Sequence, residues 1–188
     1  LSTTDPAGSA SSFTYDARGN LLAQTATVDG TSQVTRYEYD GFGNVSKETD
    51  PLGHATSYTY DASGNRLTQS TTRTAAGGAL ETLTTTFEYD AQGRLTKTTD
   101  PDGSSTRTVY DALGRQTETH DKLGRITSYT YDEMGRLTRT THPDATFEES
   151  TYDNEGRRLT SKDRGGRVTS YEYDPAGRLT KTTFPDAS

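Results

Sequence analysis

Acidic side chains recur in pairs along this chain, and paired carboxylates are a common device for general acid–base catalysis. Asp100 and Asp102 are separated by one residue, and Glu148 and Glu149 are adjacent. Acid–base work needs one carboxyl in a desolvating pocket that separates the two pKa values. Exposed turns provide no such pocket, so the sequence disfavours an acid–base enzyme.

Metal binding and serine catalysis are the other chemistries that these residue types suggest. The chain has no cysteine and only three scattered histidines, His54, His120 and His142, which makes a transition-metal site improbable. Aspartates stacked in turns offer oxygen ligands that suit calcium, but the dense glycine and aspartate repeat of calcium-binding rolls is absent. Serine catalysis lacks a nucleophile-elbow motif and a credible histidine partner. We therefore expect no catalytic residue, no bound metal and no cofactor.

The composition limits which partners the chain can bind and how large a hydrophobic core it can form. The net charge of −7 and the pI near 5.0 disfavour nucleic acid, although single-turn arginines could form local patches. Only 28% of the residues are hydrophobic, so a compact two-layer core is hard to build. Such polarity is typical of disorder, but 12 tyrosines and strict turn spacing indicate a repeat array stabilised by neighbouring units.

The dipeptide Tyr-Asp recurs eight times, and from Tyr89 onward it returns every 21 residues. A fixed period of this kind indicates repeat architecture. Within one copy, Asp90–Gly93 and Asp100–Gly103 both read DxxG, which is typical of a type I turn that ends in a left-handed glycine. The segments between the turns are rich in Thr and Tyr, as strands are, and none has helical periodicity. We predict an all-β fold of roughly sixteen short antiparallel strands, in one array over residues 1–188 without a second domain.

The turn geometry also predicts the register of each hairpin. Asp90 should pair across the turn with Arg94, and Tyr89 should pair with Leu95. The same geometry predicts the pairs Tyr15–Leu21, Tyr39–Val45, Tyr131–Leu137 and Tyr173–Leu179. Alternation then places Tyr and Leu on one sheet face and Thr, Ser, Lys and Glu on the other. We expect the Asp–Arg pairs to set the register more than to add stability.

The residues predicted to build the repeat are the Tyr, Asp and Gly of every unit and the Arg that follows the Gly in five of them. They are Tyr15, Asp16, Gly19, Tyr39, Asp40, Gly43, Tyr60, Asp61, Gly64, Tyr89, Asp90, Gly93, Arg94, Tyr110, Asp111, Gly114, Arg115, Tyr131, Asp132, Gly135, Arg136, Tyr152, Asp153, Gly156, Arg157, Tyr173, Asp174, Gly177 and Arg178.

Two departures from the pattern lead to further expectations. Arg66 and Arg158 occupy the position of Leu, so either the arginine stem packs over the Tyr ring or the strand is bulged there; unchanged spacing favours stacking. The third copy is longer, and its extra residues surround Ala75–Gly78. This predicts a longer hairpin, which we interpret as a tolerated insertion rather than a binding element.

The units YDxxGRLT at Tyr89–Thr96, Tyr131–Thr138 and Tyr173–Thr180 closely resemble the Rhs or YD repeats. The resemblance covers essentially the whole chain. It implies a β-ribbon that spirals into a hollow shell, as in bacterial polymorphic toxins, insecticidal toxin complexes and teneurins. In the toxins the shell encloses an effector domain, and such repeats are also associated with carbohydrate binding. The implied location is secreted or at the cell surface, without direct membrane insertion.

Rhs shells typically end in a Trp-containing motif with DPxG elements that supports self-cleavage. This chain has no Trp, and Asp50–Gly53 continues as any other repeat turn does. The leading expectation is therefore a non-enzymatic wall segment whose partners are the rest of the shell and its effector. The alternative is an adhesion or carbohydrate-binding module in which exposed tyrosine rows contact glycans or a cell-surface partner. Tyrosine rings buried between ribbon neighbours or against a lumen would favour the wall, and rows of open rings on the convex face would favour binding.

Overall fold

Short strands joined by tight turns make up every part of the computed structural model, which describes residues 2–4, 10–28 and 30–185. The described residues form seventeen strands and no helix. The chain divides into two compact units, residues 1–104 and 105–188. Roughly sixteen antiparallel strands were expected, and the additional one is the three-residue β1.

Unit 1 holds nine strands, and within the unit consecutive strands pair antiparallel, from β1 with β2 to β8 with β9. They are β1 (Ser2–Thr4), β2 (Ala10–Tyr15), β3 (Leu21–Val28), β4 (Thr31–Tyr39), β5 (Val45–Thr49), β6 (Ala55–Tyr60), β7 (Arg66–Thr74), β8 (Leu80–Tyr89) and β9 (Leu95–Thr99).

Unit 2 holds eight strands with the same antiparallel meander. They are β10 (Ser105–Tyr110), β11 (Gln116–His120), β12 (Ile126–Tyr131), β13 (Leu137–Thr141), β14 (Phe147–Tyr152), β15 (Arg158–Lys162), β16 (Val168–Tyr173) and β17 (Leu179–Thr183).

The DxxG turns have the predicted geometry. Gly93 N–H donates to the Asp90 carbonyl at 3.0 Å, and Asp90 N–H donates to the Arg94 carbonyl at 3.0 Å. The glycines predicted to be left-handed all have positive φ: 76° at Gly93, 85° at Gly114, 82° at Gly135 and 79° at Gly177. A register shift immediately precedes the Tyr of each of these four hairpins, as a bulged hairpin requires.

The predicted register is confirmed in every hairpin for which it was stated. Tyr89 lies opposite Leu95, and the same pairing occurs at Tyr15–Leu21, Tyr39–Val45, Tyr131–Leu137 and Tyr173–Leu179. The long hairpin is also confirmed, since β7 and β8 have 9 and 10 residues and are joined at Ala75–Gly78. The sequence reasoning did not predict the long β3–β4 hairpin, in which Val28 pairs with Thr31.

Neither unit has a conventional core. No side chain among the described residues is fully buried, and leucines such as Leu95 and Leu137 are each 40% exposed. Hydrophobic burial is therefore modest at each position. Hydrogen bonds and cross-strand contacts between neighbouring hairpins must supply much of what holds each unit together.

Candidate functional site

The turn aspartates use their carboxylate oxygens within the turn itself. Asp111 Oδ1 accepts hydrogen bonds from the N–H groups of Leu113 and Arg115, both at 2.9 Å, and Oδ2 accepts from Arg115 Nε at 2.7 Å. The backbone and side-chain hydrogen bonds from Arg115 outweigh partial burial and lower the pKa of Asp111 below its ordinary 3.8. A carboxylate held in this way is neither a base nor a free metal ligand.

The same arrangement occurs at every Tyr-Asp turn, but the donor to Asp Oδ2 changes along the chain. In the first three of these turns Asn20, Asn44 and Asn65 take the place of the arginine, and their Nδ2 atoms donate to Asp Oδ2 at 2.9 to 3.0 Å. From Arg94 onward the donor is arginine Nε at 2.6 to 2.7 Å, in Arg94, Arg115, Arg136, Arg157 and Arg178. The sequence analysis did not assign the asparagines, although their in-phase position could have revealed them.

The Tyr hydroxyls connect each hairpin to the strand before it. Tyr131 Oη donates to the Gln116 carbonyl at 2.8 Å, and Tyr152 Oη donates to the Leu137 carbonyl at 3.0 Å. Equivalent bonds run from Tyr39 to Leu21, Tyr60 to Val45, Tyr89 to Arg66 and Tyr173 to Arg158. Sequence reasoning predicted the aromatic face but missed these bonds, because the acceptor is a backbone atom 15 to 23 residues away.

In unit 2 the arginines add a second connection between turns. The Arg136 guanidinium pairs with Asp132, lies 4.8 Å from the centre of the Tyr152 ring, and donates from Nη1 to the Asp153 carbonyl at 2.6 Å. Arg115 and Arg157 stack in the same way on Tyr131 and Tyr173, at 4.7 and 5.2 Å. Each guanidinium therefore bonds its own turn and covers the tyrosine of the next turn.

Arg66 and Arg158 do stack on aromatic rings, but not on the tyrosines opposite them. Both hairpins keep the ordinary register, in which these arginines face Tyr60 and Tyr152. The Arg66 guanidinium lies 5.4 Å from the Tyr58 ring and 5.3 Å from the Phe87 ring. Arg158 lies 4.9 Å from the Tyr171 ring. The long arginine side chains reach neighbouring strands. The rings that they contact are therefore Tyr58, Phe87 and Tyr171, at the alternating aromatic positions of those strands, and not the tyrosines directly opposite.

The second tyrosines of the strands are also covered. Partial burial, with the nearby negative charge of Glu48, raises the pKa of Tyr37 and of Tyr58 above the ordinary 10.0. Both phenols therefore stay neutral at physiological pH. Both rings are half-buried on their strands.

The three histidines lie in separate parts of the structure. His54 Nδ1 is 2.8 Å from Asp50 Oδ2, His120 Nε2 is 3.0 Å from Glu118 Oε2, and His142 Nε2 is 4.0 Å from Glu148 Oε1. Within residues 2–4, 10–28 and 30–185, no three His, Asp or Glu side chains are grouped so that they could hold a metal ion. The part of the chain that the structure describes also has no helix long and apolar enough to cross a membrane.

Of the paired carboxylates, Asp102 accepts hydrogen bonds from the backbone and hydroxyl of Ser104 at 2.9 and 2.7 Å in an exposed turn. Glu148 and Glu149 are consecutive in β14, so their side chains point to opposite sheet faces. The structure does not bring these carboxylates together in an enclosed pocket.

Comparison with known proteins identifies the repeat. The family model described as RHS Repeat matches residues 1–32, 24–55, 39–80, 78–106, 110–146 and 152–188. The chain belongs to the RHS repeat family. No match was found among curated protein sequences.

Solved structures show the same RHS repeat fold. The chain is similar to the crystal structure of TcdB2-TccC3-Cdc42, with 21% identity and a TM-score of 0.71. It is also similar to TcdB2-TccC3 without its hypervariable C-terminal region, with 22% identity and a TM-score of 0.70. The Photorhabdus luminescens Tc holotoxin pore matches with 22% identity and a TM-score of 0.71. Each match covers 100% of this chain but only 11% of the other chain. The predicted class, an all-β array of antiparallel hairpins of the Rhs type, is confirmed.

Proposed function

We propose that this chain is a non-enzymatic wall segment of an RHS-repeat shell that encloses and protects an effector polypeptide. The observation that carries the proposal is the series of tyrosine hydroxyl bonds. Six tyrosines of the Tyr-Asp units each donate to a carbonyl on the preceding strand. The most distinctive polar atoms of the repeat are thus used to join hairpins, which suits a wall better than a site of chemistry.

The electrostatics of the turns support the same conclusion. The pKa of Asp163 is lowered by hydrogen bonds from the Arg167 side chain and backbone, and hydrogen bonds from Asn20 lower that of Asp16. Catalytic acids usually need a raised pKa, and nucleophiles need a neighbouring base. A repeat in which hydrogen bonds lower the pKa of every Tyr-Asp aspartate is suited to permanent structure.

The partners proposed here are the remainder of the same shell and the effector that it encloses. The proposed location is the secreted or cell-surface compartment of the parent protein, and the proposed organisation is a single array over residues 1–188. Support comes from the family and from the similarity of the fold to chains of toxin complexes.

A glycan-binding module is the less favoured alternative. Sugars stack on open aromatic faces, whereas Arg115, Arg136 and Arg157 cover the rings of Tyr131, Tyr152 and Tyr173. Among the described residues, Tyr15 is the only exposed tyrosine, with 50% of its surface accessible, and every other tyrosine is half-buried. A continuous row of open rings is therefore lacking in the described part of the chain.

Limited proteolysis of the full-length gene product tests the wall. We expect the enclosed polypeptide to resist protease when the array is intact and to be digested when two whole repeats, residues 132–173, are deleted. A single Tyr131→Ala change should leave protection in place, because the repeats share the load. Equal digestion with intact and shortened arrays would overturn enclosure, and a turnover activity abolished by one Asp or His substitution would overturn the non-enzymatic assignment.

A further inference from the structure

The first Tyr-Asp turn lacks a cation that three later turns contain. In unit 2, each of these guanidinium groups lies over the tyrosine ring of the next Tyr-Asp unit, at 4.7 to 5.2 Å from its centre. At the first turn the corresponding residue is Asn20, and the tyrosine of the next unit is Tyr39. Within the described residues, no arginine or lysine stacks on Tyr39. The Tyr39 ring therefore has no cationic cover from this part of the chain.

The space that a guanidinium fills in unit 2 is open beside Gly43, which closes the second Tyr-Asp turn. A Cβ atom added at Gly135 would lie 3.8 Å from Arg115 Nη1, and one added at Gly156 would lie 3.9 Å from Arg136 Nη1. A Cβ atom added at Gly43 would meet no described atom within 4 Å beyond the adjacent residues. The place of the guanidinium is thus empty at this turn.

A depression of about 390 Å³ lies between the first two Tyr-Asp turns. Its charged lining residues are Asp16, Asp40 and Arg18, and its aromatic lining residue is Tyr39. Asp16 Oδ2 accepts a hydrogen bond from Asn20 Nδ2 at 2.9 Å, and a carboxylate oxygen can accept another. Two carboxylates and one cation give this depression a negative balance, on a chain whose net charge is −7.

The Asp40 carbonyl has capacity for a further hydrogen bond. In unit 2 the Asp153 carbonyl accepts a hydrogen bond from Arg136 Nη1 at 2.6 Å. The equivalent carbonyl of Asp40 accepts one from the Gly43 N–H at 3.2 Å, and no side chain of the described residues donates to it. A backbone carbonyl has two lone pairs. A guanidinium at this turn would therefore find both an aromatic face and a free acceptor site.

We propose that the notch formed by Asp16, Asn20, Tyr39 and Asp40, which we call the Tyr39 notch, binds the arginine side chain of another polypeptide. The guanidinium lies over the Tyr39 ring and donates to the Asp40 carbonyl, as the arginines of unit 2 do within their own chain. The negative balance of the notch favours a cation. A lysine fits less well, because an ammonium cannot stack flat and donate in several directions at once. This inference is independent of the proposed function, since it requires no enclosed effector.

Nuclear magnetic resonance titration of the whole chain tests the Tyr39 notch. The probe is N-acetyl-arginine amide, and N-acetyl-citrulline amide is its uncharged isostere. We expect the arginine compound to shift the backbone amide signals of Asp40 and Gly43, with a dissociation constant on the order of millimolar. The citrulline compound should bind at least about tenfold more weakly, because it cannot form a charge-assisted hydrogen bond.

A matched pair of variants locates the binding. Asn20→Arg supplies the guanidinium from the chain itself, so the arginine compound should lose at least about tenfold in affinity for the notch. Asn44→Arg is the control, because it makes the same change one turn later and leaves the Tyr39 notch intact. Its affinity for the compound should be unchanged. Circular dichroism establishes that both variants are folded.

Arg136→Ala provides a second measurement that does not depend on the folding of Asn20→Arg. Removal of the Arg136 guanidinium opens the equivalent notch at the Tyr152 ring. The arginine compound should then shift the amide signal of Asp153 and raise the urea midpoint of this variant. The citrulline compound should do neither.

Four results would overturn the proposal. They are unchanged Asp40 and Gly43 signals in the unaltered chain, equal binding of the citrulline compound, an equal loss of affinity in Asn44→Arg, and failure of the arginine compound to act on Arg136→Ala. Tighter binding of a neutral disaccharide such as maltose at the Asp40 and Gly43 signals also overturns it and assigns the notch to glycans.

Discussion

The hydroxyl of Tyr152 donates a hydrogen bond to the backbone carbonyl of Leu137, 3.0 Å away on the preceding strand. Tyr152 ends β14 and Leu137 begins β13, so the bond lies next to the turn that opens at Asp153. A side chain of one repeat is thereby hydrogen-bonded to the first residue of the strand before it. Copying the Tyr-Asp motif copies the connection between hairpins as well as the turn.

Removal of that hydroxyl should weaken unit 2 measurably. We expect Tyr152→Phe to lower the free energy of unfolding by about 0.5 to 1.5 kcal/mol, the usual net contribution of one hydrogen bond. Urea denaturation followed by circular dichroism measures the change. Tyr15→Phe is the control, because Tyr15 is 50% exposed and its hydroxyl makes no hydrogen bond within the described residues. Equal losses in the two variants would argue against the inter-strand bond.

Arg136 should be more important than an arginine that bonds only its own turn. We expect Arg136→Ala to cost about 1 to 2 kcal/mol, because the Asp153 carbonyl loses its donor and the Tyr152 ring loses its cover. Arg136→Lys should not restore stability, since an ammonium cannot pair, stack and donate at once. Arg178→Ala is the matched control, because the Arg178 side chain is 81% exposed and pairs with Asp174 alone. Urea midpoints for the three variants in parallel provide the comparison, and identical values for Arg136→Ala and Arg178→Ala would contradict the connection between turns.

Two turn positions should respond in opposite directions. Gly135 has φ of 82°, and an added Cβ would be 3.8 Å from Arg115 Nη1, so backbone strain rather than a clash limits substitution. We expect Gly135→Val to cost at least about 1 to 3 kcal/mol.

Ala145 occupies the equivalent glycine position of its turn with φ of 64°. A non-glycine residue is strained there, so Ala145→Gly should stabilise the protein by about 1 kcal/mol. Thermal unfolding of both variants tests the pair. A stabilising Gly135→Val or a destabilising Ala145→Gly would reject the left-handed turn geometry.

Acid should destabilise the array. Folding lowers the pKa of the turn aspartates: in Asp111 through hydrogen bonds from the Arg115 backbone and side chain, and in Asp163 through those from Arg167. A group whose folded pKa is depressed stabilises the protein fully above its unfolded pKa and loses that effect as pH falls through the folded value. We expect a constant urea midpoint from about pH 5 to pH 8 and a progressive fall below about pH 4. Asp111→Asn should show a lower midpoint at neutral pH and a smaller acid-induced fall. A urea midpoint that does not change between neutral and acidic pH would contradict the lowered pKa of the turn aspartates.

Much of this protein follows from local rules that act over a few residues. The DxxG turns, the left-handed glycines and the pairing of Tyr89 with Leu95 depend on turn chemistry and on strand alternation, so sequence alone determined them. The repeat family was equally evident, because eight Tyr-Asp units in one chain leave little ambiguity.

Only the tertiary structure decided what passes between repeats. The Tyr152 hydroxyl finds a carbonyl rather than a side chain, and Arg66 selects Tyr58 and Phe87 rather than the tyrosine opposite it. The contacts of Arg139 and Lys162 with the Phe147 ring likewise involve three strands. Such contacts depend on the length and rotamer of each side chain on a paired sheet. A pattern of residue types records which face a side chain occupies, but not which atom on the neighbouring strand it reaches.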